Sequence, residues 1–160
     1  MANVLAMYAS GHKTTQKVTN LALDRVSALA GTKVGIGAAI RHQLGMIHGI
    51  RHGEATCGVL TEVVRTTAPS EPDRLEALAR ALGCDTPGGE EVGVRSALAN
   101  QVRGLLRSLK LPCGLAELGL QRSDLERLAT RAAGDFAART RTARIWSAEE
   151  LRELLEDAFE

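Results

Sequence analysis

The stretch RHQLGMIHGIRHGEATCGVL, residues 41–60, gathers most of the side chains in this sequence that could do chemistry. His42, His48 and His52 fall within eleven residues, alongside Arg41, Arg51 and Glu54. A neutral imidazole exchanges a proton near pH 7 and also ligates metals. A guanidinium offers a planar fork of donors to a carboxylate or an enolate oxygen. A catalytic divalent metal needs about three fixed protein ligands. The stretch supplies His52, with His48 and Glu54 as substitutes, and Gly49 separates His48 from the histidine four residues on. We therefore expect no metal and no cofactor, and read the group as an acid/base site. His42 and His52 are the expected proton-transfer residues, and Arg41, His48, Arg51 and Glu54 the expected substrate contacts. The plain alternative is that the histidines are packed residues with satisfied hydrogen bonds and the arginines are solvated. Cys57 follows His52 by five residues, about 140° around a helix, so it reads as a small buried hydrophobe rather than a nucleophile.

The elements that must position these groups read as helices. Residues 34–48 are apolar on most sides and contain Gly35, Gly37 and Gly45, which predicts a buried central helix closely approached by its neighbours. Gly49 ends it, and residues 53–68 form a second helix with His52 at or just before its start. Residues 14–30 carry Val18, Leu21, Val26 and Leu29 as a helical stripe, preceded by a short apolar segment at 2–10. Ser70 is the expected N-cap of a helix that runs to Gly83, residues 85–91 are a loop, and 92–110 is another helix. Ser123 with Glu126 and Ser147 with Glu150 have the spacing of a capping box, which predicts helices near 123–138 and 147–158. No repeat or alternating strand pattern competes. The expected fold is an all-α bundle of seven or eight helices.

Composition narrows the partners. The 160 residues are 44% hydrophobic with a formal net charge of +1, which gives no broad electrostatic reason to expect nucleic acid or an anionic membrane. Cys57, Cys84 and Cys113 are odd in number and outside any CxxC pattern, so a reduced, cytoplasmic setting is expected. No apolar run approaches the roughly 20 residues of a membrane span, and the opening MANVLAMYASGHKTT has no basic segment ahead of its short apolar stretch. Tyr8, His12 and Trp146 show no partner pattern and are assigned to packing or surface.

The segment IRHQLGMIHGIRHGEATCGVL resembles the histidine signature of the iron-containing alcohol dehydrogenase and dehydroquinate synthase-like superfamily, an H-x-L-G on one helix followed by an H-G opening the next. His52 with Glu54 is more similar to the maleylacetate reductase branch. Residues 109–129 and the closing SAEELRELLEDAF resemble later family segments, so the likeness covers about residues 30–160, with residues 1–30 a weaker match. The resemblance implies the family's C-terminal helical domain, one domain over residues 1–160. It also implies that His42 is the family's non-ligand pocket histidine and His52 its last metal ligand. The ligand one turn before His42 falls at Ala38, the earlier Asp-x-x-x-His pair is absent, and Thr61 replaces the family's Pro. No strand, glycine-rich turn and helix in order provides a nucleotide site. The expectation is a stand-alone helical domain turned to metal- and nucleotide-independent cyclisation, isomerisation or elimination of a small oxo or unsaturated compound. The alternatives are the helical subunit of a split NAD(P)-dependent oxidoreductase and a non-catalytic binding remnant. An undocked domain exposes apolar surface, so a homo-oligomer or a separate nucleotide-binding subunit is the expected partner.

Overall fold

A computed structural model of the chain describes residues 35–67, 72–84, 90–140 and 144–160. The described residues form seven α-helices: α1 (Gly35–His48), α2 (His52–Thr67), α3 (Pro72–Ala81), α4 (Glu91–Ser108), α5 (Leu125–Ala133), α6 (Phe136–Thr140) and α7 (Ala148–Asp157). Two single-turn 3-10 helices, Ala116–Leu118 and Arg122–Asp124, lie between α4 and α5. No strand occurs among the described residues. The all-α expectation holds. The apolar segment at 2–10, the helix expected at 14–30, the Ser70 cap, most of the 85–91 loop, Tyr8 and His12 lie outside the described residues.

α2 is the central element because it is apolar along two stripes. Ala55, Val59 and Val63, spaced by four, face a first core with Ile36, Ile40 and Leu44 of α1, Leu128 of α5 and Leu151 and Leu155 of α7. Cys57 and Val64 face a second core with Leu75 and Leu78 of α3 and Leu98, Val102 and Leu106 of α4. A helix buried on both sides must satisfy its polar residues internally. Buried Glu62 meets Arg65 on its own helix and Arg103 on α4, and Arg65 reaches on to Asp157 of α7. Thr61 is the exception: it is buried and its hydroxyl has no hydrogen-bond partner among the described residues.

α1 departs from the expected all-round burial. Gly35, Ile36, Ala39, Ile40, Gln43 and Leu44 are buried, but His42, Gly45 and Met46 face out. The three glycines do not equate with enclosure: a Cβ on Gly45 would make only an ordinary contact with the Ile50 carbonyl, at 3.6 Å. α1 ends as predicted at Gly49, whose φ of 66° is left-handed and whose N–H donates to the Gly45 carbonyl at 3.1 Å. That αL cap turns the chain within three residues into α2. Gly49→Ala forces a side chain into this conformation and is expected to cost about 1–2 kcal/mol, read as a lower denaturant midpoint with an unchanged slope.

One predicted cap holds and one does not. The Ser147 hydroxyl accepts from the Glu150 N–H at 3.2 Å and the Glu150 carboxylate accepts from the Ser147 N–H at 2.9 Å. Ser123, in contrast, does not cap a helix: the box is made by Gln121 and Asp124 around the 3-10 turn, and α5 begins at Leu125. The single helix expected over 123–138 is also broken, at Gly134 and Asp135, into α5 and the short α6. α6 then folds onto α1, with Ala138 buried in the first core.

Candidate functional site

The sharp turn at Gly49 places the end of α1 and the start of α2 at one corner. The Arg51 carbonyl accepts the first helical N–H of α2, from Ala55, at 2.9 Å. Residue 52 is therefore the first residue of the helix and not its middle, and His48 and His52 sit on different helices. Arg51 and Glu54 are paired with each other, Nε to Oε2 at 3.0 Å with a second contact alongside. This spends both as mutual partners at the exposed rim of the corner, where such a pair is worth little in stability. Glu54 in the first turn also lies favourably in the helix dipole.

Arg41, His42 and His52 are brought within electrostatic reach of one another. Burial, then the positive charge of Arg41, then that of His42, push the His52 imidazole below the ordinary value of 6.5. His52 is thus held neutral at pH 7, in the form that accepts a proton. The unfolded chain binds more protons to this residue than the folded one, so stability falls as pH drops through 6.5 towards the lower folded value and recovers above it. Denaturant midpoints are expected to fall over that window in the wild type and to fall less in His52→Gln.

His42 stands on the open face of α1 with its side chain 46% exposed. Its Nδ1 lies 3.4 Å from Oδ2 of Asp135, whose side chain is only 13% exposed. The same oxygen accepts from Nε2 of buried Gln43 at 3.1 Å. Asp135 is the site residue that sequence reasoning missed. It lies 92 residues from Gln43, and only the packing of α6 on α1 brings it there. The one local signal was the Gly134-Asp135 pair, a break that the capping pattern at Ser123 obscured. His48, the last residue of α1, has its Nε2 buried with no hydrogen-bond partner among the described residues. Ala38, one helical turn before His42, is partly buried and packs against the first core.

Cys57 is a small buried side chain in the second core. Burial, with Cys113 and Glu54 adding to it, pushes its thiol up to about 11, which leaves essentially no thiolate at neutral pH. Trp146 is packed into the first core, with the Arg144 guanidinium stacked 4.0 Å from its ring centroid. Among the described residues no three His, Cys, Asp or Glu side chains converge as a metal site. None of the described helices is long and apolar enough to cross a membrane.

The Fe-containing alcohol dehydrogenase family, in its C-terminal region, matches residues 5–159, further towards the N-terminus than the motifs alone reach. The chain is 35% identical over 79 residues to a probable mitochondrial hydroxyacid-oxoacid transhydrogenase of Dictyostelium discoideum, covering 49% of this chain and 14% of the relative. It is 31% identical over 150 residues to 1-propanol dehydrogenase of Salmonella typhimurium, covering 90% of this chain and 40% of that protein. The fold matches a 1,3-propanediol oxidoreductase structure with a TM-score of 0.68 at 23% identity, over 78% of this chain and 32% of the other. The chain thus spans well under half the length of these relatives.

Proposed function

From a chain that belongs to the Fe-containing alcohol dehydrogenase family and carries its C-terminal helical region, we propose that the α1–α2 corner is a proton-transfer wall acting on a small oxo or unsaturated compound. The observation that carries this is the juxtaposition of His42, set against Asp135, with a His52 kept in its neutral form. In this reading His42 removes a proton next to a carbonyl, the electron pair moves onto the carbonyl oxygen, and Arg41 steadies the resulting enolate. The proton then returns at the same or a neighbouring carbon, which is isomerisation, or a leaving group departs, which is elimination. His52 takes the second proton position, with His48, Arg51 and Glu54 on the rim. Placing such a base is worth about 10²–10⁴ in rate.

The family's iron does not fit the donor set of the described residues. His52 is neutral, as a ligand must be, but no second and third donor converge on it. NAD(P) would need a phosphate-binding turn that the described helices do not form. A second reading is favoured by the names of the relatives, which are a dehydrogenase, a transhydrogenase and an oxidoreductase. In it the same corner handles the hydroxyl proton while a nucleotide-binding segment outside this sequence holds the hydride donor. Met46 and Phe136, each more than 70% exposed on α1 and α6, support a partner on this face, either a second copy or that segment. A cytoplasmic location accords with three unpaired cysteines.

The test is deuterium incorporation beside the carbonyl of three-carbon oxo compounds in D₂O, followed by NMR. Exchange above buffer that vanishes in His42→Ala supports the acid/base reading. No exchange with any compound sinks it. Turnover that needs both NAD(P)H and a nucleotide-binding protein co-purified with the tagged chain selects the second reading, and the native mass of the recovered material reports self-association.

A further inference from the structure

We propose that Asp135 is a positioning residue that fixes the tautomer of His42, keeping the proton on Nδ1 so that Nε2 offers its lone pair to the substrate. The proposal deepens the acid/base reading of the same corner and rests on it for the catalytic consequence, but its structural test is independent of any activity.

An ionised carboxylate only accepts hydrogen bonds. The oxygen of Asp135 that takes the Gln43 amide N–H at 3.1 Å is the one facing Nδ1 of His42 at 3.4 Å. A neutral imidazole has one N–H, and the nitrogen that keeps it is set by the partner available to each ring atom. With an acceptor-only group at Nδ1, the favourable arrangement is Nδ1–H, the form that histidine in water disfavours, and the open Nε2 becomes the base.

The carboxylate is placed by packing. Asp135 sits where α5 has ended and α6 begins, its own carbonyl accepting the Arg139 N–H of α6 at 3.2 Å. α6 is held on α1 through Ala138 in the first core. Gln43 is 7% exposed, so its amide provides a second fixed point. Successive residues of a helix point about 100° apart, and Asp135 sits where the inward Gln43 and the outward His42 can share one oxygen. His42 is more than three times as exposed as Asp135, so its ring can be reached by a ligand.

The experiment is a long-range ¹H–¹⁵N spectrum of histidine-labelled full-length chain, taken well above the range in which imidazole titrates, with the His42 signals identified by their loss in His42→Ala. The expected result is an unprotonated Nε2 and a protonated Nδ1. In Asp135→Asn, an amide N–H can donate to Nδ1 and the proton is expected to move to Nε2, with kcat lowered about a hundredfold or more and KM little changed. A wild-type His42 carrying its proton on Nε2 overturns the proposal, as does an unchanged tautomer in Asp135→Asn. If that variant does not fold, the wild-type spectrum alone decides. The expected tautomer in a protein with no exchange activity upholds the positioning role and removes the acid/base reading, so the two can fail separately.

Discussion

Replacing His42 with alanine is expected to lower kcat/KM by about 10²- to 10⁴-fold while the far-UV circular dichroism and the denaturation midpoint stay near their wild-type values. The fold should survive because the side chain is on the open face of α1 and belongs to neither core. Alanine is also the better helix former, by a few tenths of a kcal/mol. Its neighbour Asp135 loses one contact but keeps the Gln43 amide, so no buried charge is stranded without a partner. The comparison variant is Arg51→Ala. Arg51 is tied to Glu54 at the rim, so its removal should change turnover far less than the loss of His42. Full activity in His42→Ala would remove His42 from the chemistry and leave it as a surface residue of a helix whose function lies elsewhere.

The parts of this arrangement that were legible in the sequence are the local ones. Gly49 reads as a helix end because a left-handed residue is needed there, and Ser147 with Glu150 reads as a start because both halves of the box lie within four residues. Ser123 failed for a reason of the same kind. Gln121 and Asp124 offer a competing box two residues earlier, and the 3-10 turn it closes places Ser123 inside the turn. The partial exposure of α1 was not legible, because apolar composition alone does not say how many neighbours a helix has. Two faces meet α2 and the α5, α6 layer, and the third carries His42 and Met46 into the open. Asp135 was least legible of all. A carboxylate after a glycine in a basic, alanine-rich run looks like a solvated loop residue until α6 is seen to fold back onto α1. The Arg51–Glu54 pair, by contrast, follows from a spacing of three at a helix start and is legible without the fold.

Leu44→Ala is expected to do the reverse of His42→Ala, lowering stability by about 2–5 kcal/mol while leaving each folded molecule able to turn over. The H-x-L-G spacing explains why. Two residues of a helix are about 200° apart, so the turn that points His42 outward must point Leu44 inward, and Leu44 is fully buried in the first core with Ile40, Leu128 and Leu155. Truncation leaves a cavity that surrounding α5 and α7 side chains can fill only in part. The carbonyl of Leu44 also accepts the Ile50 N–H across the turn at 3.4 Å, but a backbone bond survives the substitution, so the corner keeps its geometry in whatever fraction remains folded. Urea unfolding gives the stability, and activity measured per folded molecule at low temperature gives the chemistry. A loss under about 1 kcal/mol would mean that α1 is not anchored in this core. A large loss of activity in fully folded Leu44→Ala would mean that the placement of His42 beside Asp135 depends on the packing beneath it, so that H and L of the motif act as one unit. The two variants together therefore separate what the motif does for the fold from what it does for the substrate.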